Sequence, residues 1–182
     1  MGEGLERAPE YPVWRSCGAA KPDAVSFAIR YASRTELVAC GGQVVVRLVE
    51  GHWTETEDID RLLAVIDDEL GEASVGGLFQ VFFQGSPPLT AKVRRYAARA
   101  LGPRGDRVVS VFVVQGLGFW KSSLDEAIDG FAKLSEGSGV ILESSIEAGA
   151  QRLALELVGL NPEALCESCL ELQAHMRGLS SS

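Results

Sequence analysis

The chain has 182 residues, 46% of them hydrophobic and 23% charged, and carries a formal net charge of −8 at neutral pH. A chain of this length buries about two-thirds of its unfolded surface without metal or disulfide staples, and its composition excludes a wholly disordered polymer. The acidic balance repels phosphate and argues against nucleic-acid binding, while no stretch approaches the roughly 18 apolar residues of a membrane span.

Residues 1–25 mix proline, glycine and charge without periodicity and read as a flexible tail. Met1 to Glu10 lacks the apolar run of a signal peptide, so a cytoplasmic location is expected. Ser26 to Tyr31 and Glu36 to Cys40 alternate in the manner of strands, and Gly41-Gly42 turns the second into Gln43 to Val49, a hairpin pattern. Gln43 to Val49, Gly77 to Phe83 and Val108 to Val114 are nearly uninterrupted apolar runs, each followed by a helix-like stretch. Strands covered on both faces lose polar alternation, so these runs predict central parallel strands with crossover helices.

Thr54 with Glu57 has the form of a capping box, followed by the stripe Ile59, Leu62, Leu63, Ile66 and Leu70 and a stop at Gly71. Ser86-Pro87-Pro88 opens the second predicted helix, with Leu89, Val93, Tyr96, Ala97, Ala100 and Leu101 facing inward. A third helix begins between Gly118 and Ser123 and carries Leu124, Ala127, Ile128, Phe131 and Leu134. A short strand over Val140 to Leu142 follows. Ser144 with Glu147 forms a second box before Ile146, Ala150, Leu153, Ala154 and Leu157, and Asn161-Pro162 caps a last helix running to about Arg177. The expectation is an α/β domain over 26–160, with a mixed four- to five-stranded sheet, parallel central strands and flanking helices. Residues 161–182 follow as a C-terminal helix and tail.

From Val44 to Leu155 the chain resembles the STAS family, the sulfate-transporter and anti-sigma-factor-antagonist domain, in its STAS/SEC14-like bacterial branch. The passages that carry the resemblance are VVVRLVEGHWTETEDIDRLL, LTAKVRRYAAR, RVVSVFVVQG and the closing VILESSIEAGAQRLA. It implies a STAS-like arrangement and a regulatory role. In antagonist members a phosphorylatable serine precedes the second helix; Ser86 falls near that place, but the acidic neighbour and second serine are missing. As a residue, Ser86 reads first as a helix cap.

Lys92, Arg95 and Arg99 recur at helical spacing on the second helix, and Asp58, Asp60, Asp67, Asp68 and Glu69 mark the first as acidic. Ion pairs between the two, or a merely solvated face, account for the pattern, or else the basic stripe docks an acidic protein partner. Cys166 and Cys169 lack both a second ligand pair and the strand-to-helix setting of a redox site. With Leu165, Leu172 and Met176, Cys169 makes an apolar stripe suited to packing on the domain or to a homodimer through the terminal helix. His52 and His175 stand beside no recognisable nucleophile, and Gly116-Leu117-Gly118 lacks the third glycine of a dinucleotide loop. No catalytic residue, metal or cofactor is assigned.

The first functional expectation is therefore a non-catalytic regulatory or adaptor module, binding through Ser86, Lys92, Arg95 and Arg99. The alternative is a carrier of a small apolar, lipid-like ligand in a SEC14-like cavity lined by Phe112, Phe119, Trp120 and Phe131.

Overall fold

A computed structural model describes residues 26–71, 75–116, 118–134 and 140–179, and the side chains of these except 118–120 and 134. The expected tail, with Cys17, lies outside the described residues, as do the side chains of Phe119 and Trp120. The chain runs through β1 (Ala28–Ala32), β2 (Glu36–Gly41), β3 (Val44–Val49), α1 (Thr56–Leu70), β4 (Gly76–Phe82) and α2 (Ala91–Leu101). A tight turn at Gly102–Arg104 then leads to β5 (Val108–Val114), α3 (Gly118–Leu134), β6 (Val140–Glu143), α4 (Ile146–Glu156) and α5 (Pro162–Gly178).

These strands form one sheet in the order β1-β2-β3-β4-β5-β6, six where four or five were expected. β1, β2 and β3 pair antiparallel, with Gly42 at φ +58° turning β2 into β3. From β3 onward every pairing is parallel: Val45 lies opposite Leu78, and Phe79 opposite Val111. The mixed sheet with a parallel centre follows from the three apolar runs. The edge strand β1 corresponds to the alternating stretch Ser26 to Tyr31; it is half exposed, and its register shifts between Ile29 and Tyr31.

Each crossover from β3 to β6 proceeds one strand along in the same direction, which places successive helices on the same face. Accordingly α1, α2 and α3 bury Ile59, Leu62, Ile66, Val93, Leu124 and Phe131 against Val45, Leu78 and Phe112. The other face carries Leu37, Val46, Phe79, Val81 and Val111, and α4 and α5 cover it with Ile146, Ala150, Leu153, Leu165, Cys169 and Met176. Alternate residues of each strand thus feed two separate cores.

α4 approaches the sheet closely because glycine stands at the contact. A Cβ added at Gly149 would lie 2.6 Å from Val113 Cγ2 and 2.9 Å from the Phe79 ring, and one at Gly77 would lie 2.9 Å from Leu153. Those separations are too short for a side chain unless helix or sheet moves.

Helix starts differ from expectation by small steps with identifiable causes. α1 is capped at Glu55, whose amide donates to Asp58 Oδ2 at 2.8 Å, because Thr54 is turned inward to receive Arg47. Thr90 caps α2 by accepting from the Val93 amide at 3.2 Å, so Ser86, Pro87 and Pro88 lie in the approach rather than in the first turn. Ser145, not Ser144, caps α4 through the Ala148 amide at 3.1 Å. Asn161 caps α5 as its sequence indicated, accepting from the amides of Glu163 and Ala164.

Candidate functional site

α1 and α2 lie side by side on one face of the sheet, and their opposite charges meet only in part. Arg104, just past α2, forms a two-pronged pair with Asp67 of α1 at 2.8 and 2.5 Å. Tyr96 is not on the inner face: it is 37% exposed, and its hydroxyl donates to Asp60 across the helix pair. Beyond these contacts Lys92, Arg95 and Arg99 project from α2 into solvent, and none forms an ion pair with a described residue. An α1–α2 ion-pair ladder therefore covers Arg104, while Lys92, Arg95 and Arg99 form a solvated face.

Ser86 occupies a different environment. It is fully buried, its hydroxyl donating to the Val49 carbonyl at 2.9 Å and accepting from the Gly51 amide at 3.3 Å. The residue fastens the loop after β4 to the end of β3, a role that explains a serine without invoking a helix cap. It is closed to solvent.

Beneath α1 lies a polar network absent from the sequence reading. Arg47, in the middle of β3 and 1% exposed, donates through Nε to Glu36 Oε1 at 2.7 Å, through Nη1 to Gln80 Oε1 at 3.3 Å and through Nη2 to Thr54 Oγ1 at 3.2 Å. Glu36, equally buried at the start of β2, receives Arg61 of α1 on its second oxygen at 2.9 Å. Arg61 in turn reaches Asp58 at 3.3 Å and stacks over the Tyr31 ring, 4.1 Å from its centroid. His52 Nε2 lies 2.8 Å from Asp58 Oδ2, which ties the loop after β3 to the first turn of α1. Burial raises the Asp58 pKa, but the Glu55 amide, His52 and Arg47 outweigh it and hold the carboxyl below its ordinary value.

Glu36, His52 and Asp58 offer ligand atoms within 4.8 Å of one another. A metal ion does not suit them, because Arg47 and Arg61 already neutralise the carboxylates and would face the cation at contact distance. The network contains no activated nucleophile. Its chemistry is structural: every charge is paired and hydrogen-bonded, which is the condition for burying charge at tolerable cost. One signal was legible, since a lone arginine within the apolar run Val44–Val49 demands a buried partner.

The cysteine pair of α5 faces inward. Cys169 is fully buried and burial drives its thiol far above the ordinary range, with Cys166 adding to the shift; Cys166 is raised by burial and by Glu147 and Glu163. Neither is poised as a thiolate. The stripe of Leu165, Cys169, Leu172 and Met176 lies wholly in the core shared with the sheet, so that face of α5 is not free for self-association. Phe112 also packs inward, stacking on Phe82 and tilting against Phe131. No protein-family profile, curated protein or solved structure matches this chain. Among the described residues no helix is long and apolar enough to cross a membrane.

Proposed function

We propose that the chain is a non-catalytic regulatory or adaptor module that recruits an acidic protein partner through the outer face of α2. The observation that carries this reading is the cation triplet Lys92, Arg95 and Arg99, exposed and in no ion pair with a described residue, although Lys92 acts at longer range on Glu57, on a molecule of net charge −8. Such a patch contrasts with its surroundings. An oppositely charged surface meeting it gains association rate and selectivity. The STAS resemblance points to the same class of role. An apolar-ligand carrier has less in its favour, because Phe112 and Phe131 are spent on packing against Phe82 and each other.

The test is affinity capture from the native cell with the wild-type chain and with Lys92→Glu/Arg95→Glu/Arg99→Glu. A partner retained by the first and lost by the second, with circular dichroism unchanged, supports the reading. Capture of the same proteins by both, or of none by the wild type, overturns it.

A further inference from the structure

The carboxyl ends of β3, β4 and β5 open onto a groove of about 350 Å³, bordered by the last turns of α5 and lined by Glu50, Phe83, Gln84, Gln115, Gln173 and Arg177. The strand order does not reverse there, so the groove is not a topological switch point; its volume falls at the lower end of small-molecule sites, which begin at about 300 Å³.

Its chemistry is selective. Glu50 and Arg177 are its charged side chains, joined across 127 positions of sequence by Nη2 to Oε1 at 2.9 Å and Nε to Oε2 at 3.1 Å. The guanidinium lies 5.7 Å from the centroid of the buried Phe83 ring, which gives it an apolar floor. Gln84, Gln115 and Gln173 add carboxamides, each both donor and acceptor. The groove is therefore neutral overall, yet it presents one fixed charge of each sign.

We infer that this groove binds a small zwitterion of the free α-amino-acid type, its carboxylate seated on Arg177 and its ammonium on Glu50. The guanidinium fork already holds a carboxylate in two-point geometry, so an incoming carboxylate substitutes for Glu50 without remodelling the site. Glu50, once released, faces the ammonium of the same ligand. Opening the resident pair costs little, since Arg177 is 58% and Glu50 31% exposed and such surface pairs contribute only about 0–1 kcal/mol. A simple anion would meet Glu50, and a simple cation Arg177. Only a molecule carrying both charges satisfies both residues, and the glutamines can then read its remaining polar groups.

The full chain is to be titrated with each of the standard free amino acids at roughly millimolar concentration, by saturation-transfer NMR and thermal shift, beside inorganic phosphate, acetate and methylamine. At least one amino acid is expected to bind while the three simple ions do not. Arg177→Gln and Glu50→Gln should each weaken that binding about tenfold or more, and Gln173→Leu, which leaves the ion pair in place, should weaken it less. Absence of binding by every amino acid overturns the assignment, as does tighter binding of phosphate or acetate, or an affinity unchanged in Arg177→Gln. The groove and the α2 stripe share no residue, so either reading can fail alone.

Discussion

Arg47 shows how much one side chain decides here. It bonds β2 through Glu36, β4 through Gln80 and the loop before α1 through Thr54. Removing one member of a buried ion pair costs about 3–5 kcal/mol because the other is stranded. Arg47→Met should therefore lower stability in urea by about that amount, with Arg61 softening the loss at Glu36. The double variant Arg47→Met/Glu36→Gln should recover a good part of it. Asp58 gives the network a pH signature. Its folded pKa lies below that of the unfolded chain, so it contributes stability above the ordinary aspartate range near about 4 and loses it as pH falls through the folded value. Asp58→Asn should flatten the acid limb of the stability curve, its loss of stability being full at pH 7 and shrinking as pH falls through the folded value of Asp58. Of these residues only Arg47 carries a sequence signal, as a charge inside an apolar run, and the sequence reading passed over it; its partners come from three other segments, and no local period brings them together.

At the scale of elements, apolar periodicity was a dependable guide because each strand and helix has a face or both faces to bury. It located β3, β4 and β5, the inner stripes of α1, α4 and α5, and that of α3 as far as Phe131, the side chain of Leu134 lying outside the described residues. Cap assignment was less dependable. Several serines and threonines stood near each helix start, and tertiary demand chose among them: Arg47 drew Thr54 away from α1, and Val49 with Gly51 drew Ser86 away from α2. Tyr96 left the inner face for the same kind of reason, its hydroxyl finding Asp60. The α4 contact makes a sharp element-scale prediction. Gly149→Ala should destabilise by about 1–3 kcal/mol despite the better helix propensity of alanine, because overpacking against Val113 and Phe79 outweighs it. Thermal unfolding of the single variant checks this. For α5, a thiol reagent applied to the folded protein should modify Cys166 well before Cys169, and mass spectrometry of the peptides would detect the order.

Across the whole molecule, charge is segregated by depth. Arg47 and Arg61 are spent on internal carboxylates, whereas Lys92, Arg95 and Arg99 remain outside. If docking runs through α2, raising ionic strength from low salt to about 0.5 M should slow association markedly and leave dissociation nearly constant, since screening acts on the approach of exposed charges. Surface plasmon resonance on the captured partner separates the two rates. The fold class was readable throughout, but the juxtaposition of β3, β4 and β5 ends with α5 was not, because Glu50 and Arg177 are 127 positions apart and each looks like an ordinary surface charge.

The uninterrupted strand order carries a consequence for how the chain matures. Each strand docks beside the one just made, so the hairpin and every βα unit can settle as they leave the ribosome, with their covering helices in hand. The opposite side has no such protection until α4 and α5 have been synthesised, leaving Leu37, Val46, Phe79 and Val111 bare in the meantime. A nascent chain arrested after β6 would thus be half clad, a sticky client for chaperones, and the last two helices act as the lid that ends its vulnerability.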